Sequence, residues 1–248
     1  MVSVVLTSYR ERNSLRAAIE GFLAIPYVDE VVVVDNNAES GSIEEVKKTK
    51  ARLVFEERQG HGWALRCGLR ESRGDYIITS EGDGTFQGAD VIKLLAYTDE
   101  VPVVFGTRTN TSTMEPGALG IGIWGKFRRW ADIGEAKIIE SLFSTGRLTD
   151  VGCTFALVSK DVVKALENLW FKGGSYFVTE MRLQVAAAKI PFVEIPVVFK
   201  RRTLGKSYVV DTRLKLTKEG IKMLFFVIAF WFHAKVFHKD RFKSIRLP

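Results

Sequence analysis

Two carboxylates stand two residues apart in Thr79-Ser80-Glu81-Gly82-Asp83-Gly84-Thr85-Phe86, directly behind an apolar run. Residues i and i+2 of an extended backbone face the same side, so Glu81 and Asp83 would offer hard oxygen ligands together. That donor pair suits Mg²⁺ or Mn²⁺ bridging a diphosphate. The plainer reading is a solvated acidic turn, which glycines often accompany. Asp35, at the end of another apolar run, favours the metal.

Other stretches carry weaker signals. Gly60-His61-Gly62 precedes a helical pattern and would let backbone N–H groups approach an anion, but Leu65 stands where a dinucleotide fingerprint needs its third glycine. A nicotinamide cofactor is therefore not expected. Gly120 to Lys126 has the outline of a phosphate loop, yet Phe127 replaces the required hydroxyl residue and no strand leads in. It reads as a mobile or tightly packed loop, with a place over the site as one option. His61, His233 and His238 lack triad spacing and read as surface or packing histidines. Lys200-Arg201-Arg202-Thr203-Leu204-Gly205-Lys206 gathers four cations behind a late apolar run, where guanidinium groups can meet phosphates.

These residues need a scaffold, and the apolar runs supply one. Val2–Leu6, Glu30–Val34, Arg52–Glu56, Tyr76–Thr79 and Val101–Gly106 read as strands. Between them, helical spacing covers a segment with Leu15, Ile19 and Phe22 capped by Asn13, then Ser42–Lys50, Gly62–Arg73 and Ala89–Tyr97. Alternation of this kind predicts an α/β fold: a mainly parallel central sheet with helices on both faces. Ligands bind such sheets beyond the carboxyl ends of the strands, where Thr7–Glu11, Asp35–Asn37 and Glu81–Asp83 would converge. Further on, a helix is expected from about Trp124 to Leu142, strand-like alternation at Asp150–Val158, helices at Val162–Leu169 and Thr179–Lys189, and a last strand at Val193–Phe199.

The chain has 248 residues, 46% hydrophobic and 26% charged, which suits one large folded domain. Its net charge of +7 points to an anionic partner. Nucleic acid is not expected, because the basic residues cluster near the C-terminus without an aromatic-interleaved sheet face. Cys67 and Cys153, the two cysteines, stand far apart without ligand spacing, so neither a disulfide framework nor a zinc site is indicated, in keeping with a reducing compartment. The opening residues read as a core strand rather than a signal peptide. Met223–Ala234 is strongly apolar but, at roughly 12 residues, is shorter than the roughly 20 needed to span a bilayer. Lysines and arginines flank it, which suits the headgroup interface of an anionic membrane; a core or dimer helix is the plainer alternative.

Together these motifs resemble the family 2 glycosyltransferases of the A fold, especially dolichyl-phosphate mannose or glucose synthases and related polyprenyl-phosphate enzymes. The likeness runs from Val2 to about Tyr208. It implies nucleotide contacts from Thr7, Tyr9 and Glu11 in the opening loop, from Asp35 after the second strand, and from Gly60. Glu81-Gly82-Asp83 is similar to the family's Asp-x-Asp metal motif, with Glu81 replacing the first aspartate. Gly106-Thr107-Arg108 and Trp124-Gly-Lys-Phe-Arg128 resemble segments that imply acceptor-phosphate contacts from Arg108 and Arg128. Asp150-Val-Gly-Cys-Thr-Phe155 resembles Asp-x-x-Ser-Gly-Phe, from which Asp150 is carried over. Val193-Glu194-Ile195-Pro196 and Arg202-Thr203-Leu204-Gly205-Lys206-Ser207 resemble the end of the catalytic domain in the lipid-phosphate branch, implying phosphate contacts from Arg202 and Lys206.

The resemblance thus implies an inverting, metal-dependent transfer from a UDP- or GDP-sugar to a polyprenyl phosphate. Residues 1–212 would form the catalytic domain and 213–248 a membrane-associating segment, at the cytoplasmic face of a membrane, alone or with a membrane-protein partner. Catalytic roles would fall to Asp83, Arg202 and Asp150. A hydroxyl acceptor would instead require a base, with Asp150 the first candidate and Glu180 the second. The alternatives are a transferase acting on a soluble glycan or protein, and a non-catalytic nucleotide-sugar-binding protein.

Overall fold

The computed structural model describes residues 1–120, 122–202 and 213–237, with 242, 245 and 247. Its centre is a seven-stranded sheet: β1 (Val2–Ser8), β2 (Glu30–Asp35), β3 (Arg52–Phe55), β4 (Tyr76–Glu81), β5 (Val103–Thr107), β6 (Ala156–Ser159) and β7 (Phe192–Pro196), in the order β3-β2-β1-β4-β6-β5-β7. β6 alone runs antiparallel to its neighbours β4 and β5. The expected mainly parallel sheet is present.

Both faces of the sheet are covered, which is why β1 is buried along its whole length rather than alternating. Successive side chains nevertheless divide between two cores. Val4, Leu6, Val31, Val33, Ile78 and Val104 meet Leu15, Ile19 and Phe22 of α1 (Arg12–Leu23), Val46 of α2 (Ser42–Lys47), and Val91 and Leu94 of α4 (Val91–Leu95). Val5, Val34, Ile77, Val103 and Phe105 face the other way. They meet α3 (His61–Glu71), α5 (Gly122–Phe143), α6 (Lys160–Leu166), α7 (Phe177–Ala187) and α8 (Arg213–Phe232). At about 2 kcal/mol for each large apolar side chain removed from water, these two layers fix the sheet from both sides.

Three differences from the sequence reading have physical causes. The strand expected over Asp150–Val158 is confined to Ala156–Ser159, because Asp150–Phe155 lie along the sheet's end in irregular backbone while their apolar side chains are still buried. Alternating burial does not encode strand direction, so the antiparallel course of β6 was not legible. Asn13 is not the cap of α1: the helix starts at Arg12 with Glu11 at its cap position.

Described residues beyond 212 pack onto the core on the second face of the sheet. Val227, Phe230 and Ala234 join the cluster under α5 and α7, and Trp231 Nε1 donates to Leu142 O at 2.8 Å. Among the described residues no helix is long and apolar enough to cross a membrane.

Candidate active site

Register brings the predicted loops together. Ser8 of β1 pairs with Asp35 of β2, and Thr7 with Glu81 of β4, so three strand ends share one rim. Asp35 and Glu81, on the strands flanking β1, are about 10 Å apart by two inter-strand spacings. The loops then interlock. Asn36 N donates to Ser8 O, Gly82 N to Thr7 O, and Ser14 Oγ to Gly82 O.

The antiparallel strand adds a fourth contributor. Because β6 enters at this edge, the residues before it arrive at the rim: Thr79 Oγ1 donates to Thr154 O at 2.5 Å, and Thr154 Oγ1 to Glu81 Oε1 at 2.8 Å. The segment after β7 closes the far side, with Lys200 N donating to Thr85 O.

Asp83 lies at the centre, 1% exposed. Its Oδ1 accepts from Thr85 N and Thr85 Oγ1, and its Oδ2 from Arg202 Nε at 2.7 Å. Arg202 Nη2 lies 2.7 Å from the same Oδ2 and 3.4 Å from Glu81 Oε2, so one guanidinium bridges both carboxylates. Burial, then the charge of Glu81, raise the Asp83 pKa. The donors fit a hard divalent cation. Two carboxylates face one point and, among the described residues, no third acidic, His or Cys side chain joins them, which leaves coordination positions for phosphate oxygens and water.

The other side of the rim is built from the loops after β1, β2 and β3. Glu11 Oε2 accepts from Tyr9 N and Arg10 N, which curls this loop back on itself. Asp35 Oδ1 accepts from Ala38 N. Asn36 donates to Glu56 O and Arg58 O and accepts from Gly60 N, tying the end of β2 to the start of α3. Gly60, at φ +147°, does more than approach an anion: a Cβ there would lie 2.3 Å from Gly173 O, and Trp63 N donates to the same oxygen. His61, read as a packing or surface histidine, belongs to the site. Its Nδ1 lies 3.5 Å from Thr7 Oγ1, and the charges of Glu11, Asp83 and Arg202 act on it. Burial pushes its pKa down to about 4, so the ring is neutral at physiological pH.

Arg108 and Asp150, expected to hold an acceptor and to serve as a catalytic group, are committed to each other. Arg108 Nε and Nη2 each reach an oxygen of Asp150 at 2.8 Å, and Arg108 N donates to the same carboxylate. They are 6% and 1% exposed. Burial opposes ionisation of Asp150, but the Arg108 charge outweighs it and holds the carboxyl well below the usual range. Asp150 is therefore a poor base, and Arg108 can reach a phosphate only by abandoning a buried partner. The pair instead fixes the lead-in to β6, where Glu194 also accepts from Thr149 Oγ1 and Asp150 N. Glu180 is likewise structural, accepting from Phe171 N, Lys172 N and Gln184 Nε2. Cys153 is buried, and burial followed by Asp150 pushes its thiol up to about 12, so it packs rather than reacts.

Arg128 behaves differently. It lies half-buried on α5 within the fields of Arg108, Asp132, Asp150 and Glu81, and carries no ion pair among the described residues. Asp132 and Glu135 follow on the same face of α5, also without hydrogen-bond partners among the described residues. Burial and Asp150 raise the pKa of Asp132, while burial and Asp132 push Glu135 up to about 8. Sequence reading passed over both because acidic residues at helical spacing look like a solvated face; their relation to Arg128 at i+4 and i+7 was the available signal. Lys206 lies outside the described residues.

A mixed α/β sheet with a metal-suited carboxylate pair at the rim defines the glycosyltransferase A fold. In keeping with this, the structure resembles that of glucosyl-3-phosphoglycerate synthase from Mycobacterium tuberculosis, crystallised with Mn²⁺, uridine diphosphate and glucosyl-3-phosphoglycerate. The TM-score is 0.68 at 16% identity, over 94% of this chain and 79% of the other. Residues 3–166 match the model of glycosyl transferase family 2, and the chain belongs to that family.

Sequence relatives include an uncharacterised glycosyltransferase of Mycobacterium tuberculosis, 31% identical over 40% of this chain and 44% of its own length. An undecaprenyl-phosphate 4-deoxy-4-formamido-L-arabinose transferase of Pseudomonas savastanoi is 25% identical over 66% of this chain and 49% of its own length. The chain thus spans less than half the length of these relatives.

Proposed function

We propose that this protein transfers a sugar, with inversion, from a UDP- or GDP-sugar to a polyprenyl phosphate at the cytoplasmic surface of a membrane. The observation that carries the reading is the bridged pair Glu81–Asp83 at the rim shared with Asp35 and the Thr7–Glu11 loop, with Arg128 of α5 within the field of Glu81 and without an ion-pair partner among the described residues. Thr7, Tyr9, Glu11, Asp35 and Gly60 line the nucleotide side.

Glu81 and Asp83 would hold Mg²⁺ or Mn²⁺, which when bound supplies charge neutralisation for the departing diphosphate. Arg202 adds a second positive charge at the same place. Arg128 orients the acceptor phosphate. That nucleophile is already ionised at neutral pH, which agrees with a site whose expected bases, Asp150 and Glu180, are occupied elsewhere.

Support for a membrane surface comes from two helices. α8 exposes Ile221, Phe225, Ile228 and Phe232 along one stripe, which Val236 continues in the turn that follows, among exposed Lys218, Lys222 and Lys235. α5 exposes Ile123, Phe127 and Trp130. Apolar stripes with cationic neighbours suit an anionic headgroup layer. The testing experiment incubates protein with labelled UDP- and GDP-sugars, Mn²⁺ or Mg²⁺, and either a short polyprenyl phosphate or 3-phosphoglycerate. Label extractable into organic solvent is expected; transfer only to the water-soluble acceptor would overturn the lipid assignment.

A further inference from the structure

We propose that Arg202 makes cation and nucleotide binding cooperative: it occupies the carboxylate edge that a divalent cation needs, and gives it up when a diphosphate arrives to receive its guanidinium. This inference rests on the reading of the rim as a nucleotide-sugar site.

A carboxylate oxygen has two lone-pair directions. On Asp83, Thr85 N and Oγ1 fill those of Oδ1, while Oδ2 accepts from Arg202 Nε and lies 2.7 Å from Arg202 Nη2. Glu81 Oε1 is taken by Thr154 Oγ1, and Oε2 faces Arg202 Nη2. The Thr85 bonds are local to the turn and are kept as long as the turn is. The Arg202 bonds span 119 residues of sequence and depend on one side chain. A cation therefore enters by displacing Arg202.

What moves is the side chain. Up to residue 201 the backbone is pinned by Val197 N to Thr107 O, Phe199 N to Thr113 O, Lys200 N to Thr85 O and Arg201 N to Glu115 Oε2. A guanidinium released within this fence remains beside the rim and needs a new anion. A diphosphate supplies one.

Charge fixes the sign of the coupling. A cation arriving alone replaces Arg202 and leaves it unpaired; a diphosphate arriving alone meets two carboxylates whose charge is only half offset. Arriving together, each removes the other's cost. Couplings between sites typically amount to roughly 5- to 150-fold in affinity.

The test measures Mn²⁺ binding by the electron paramagnetic resonance of the free ion, with and without UDP or GDP, corrected for Mn²⁺ that nucleotide binds in solution. It compares the wild type with Arg202→Gln, Arg202→Lys and Arg201→Gln. Arg201 donates to Pro116 O, away from Asp83, so its variant removes the same charge without touching the pair. The wild type should bind Mn²⁺ weakly alone and at least about 10-fold more tightly with nucleotide. Arg202→Gln should bind Mn²⁺ alone about 10-fold more tightly than the wild type and gain little from nucleotide. Arg202→Lys, which keeps the charge but lacks the fork that presents two nitrogens to the carboxylates, should fall between them and guards against misfolding of the first variant. Equal Mn²⁺ affinity in wild type and both Arg202 variants, or a rise in nucleotide-free Mn²⁺ affinity in Arg201→Gln as large as that in Arg202→Gln, would overturn the proposal. A wild type that binds neither nucleotide with Mn²⁺ would remove the donor-site reading itself.

Discussion

The sheet-edge wall and the α5 wall are built on opposite terms. Along the sheet edge every carboxylate near Asp83 has its partners: Asp83 with Thr85 and Arg202, Asp35 with Ala38 N, Asp150 with Arg108. On α5, Arg128, Asp132 and Glu135 are partly withdrawn from water with no hydrogen bond or ion pair among the described residues. A buried polar group without a partner is costly. The difference separates a wall whose charges the fold has already balanced from one whose charges it leaves without partners among the described residues.

The largest expected effect sharpens the balanced wall. Asp83→Asn keeps the shape of the turn but loses the charge at its centre, and should lower sugar transfer at least about 10³-fold while leaving a cooperative thermal transition. Near-normal, metal-dependent turnover in this variant would remove Asp83 from the chemistry.

Asp150→Asn separates a structural part from a catalytic one. Breaking a buried ion pair costs about 3–5 kcal/mol, which for a chain of this size lowers the Tm by about 10 °C. Calorimetry showing an unchanged Tm together with lost activity would return Asp150 to a catalytic role.

The α5 wall is tested next. Arg128→Gln should raise the KM for a phosphate acceptor about 10- to 100-fold, as expected for a charge-assisted contact of about 1.5–3 kcal/mol, with the donor KM unchanged. A rise in donor KM instead would place Arg128 on the other side of the reaction.

Glu135→Gln carries the smallest effect and a definite pH dependence. The folded-state pKa of about 8 lies above the ordinary 4.5, so the folded protein holds this proton more tightly than the unfolded chain. Below pH 4.5 both states are protonated and the variant matches the wild type. Between 4.5 and 8 the unfolded chain ionises first, and wild-type stability falls as pH rises. The variant should therefore gain about 2 kcal/mol by pH 8, allowing for partial exposure, seen as a Tm several degrees higher there and equal at pH 4. Equal Tm values at both pH values would mean that Glu135 is solvated.

The same contrast separates what could be read from sequence. The rim was legible because order alone determines it: β-branched runs at Val2–Leu6, Glu30–Val34 and Tyr76–Thr79, each ending in polar residues, must place those residues on one edge of a parallel sheet. The Arg108–Asp150 pair was not, since it joins positions 42 residues apart through an antiparallel strand whose direction no side-chain pattern records. Asp132 and Glu135 were hidden for another reason. Helical spacing reports that residues share a face, and only packing reveals that α8 and α7 cover that face.

The central claim is that the rim of β1, β2 and β4 holds a cation and a nucleoside diphosphate together. Anomalous diffraction from crystals soaked with Mn²⁺ and UDP or GDP tests it most directly. The account predicts one manganese peak against Asp83, with Arg202 turned from Asp83 onto the diphosphate and the nucleoside between the Thr7–Glu11 and Asp35–Asn37 loops. Nucleotide bound elsewhere, with the Arg202–Asp83 bridge intact, would contradict it.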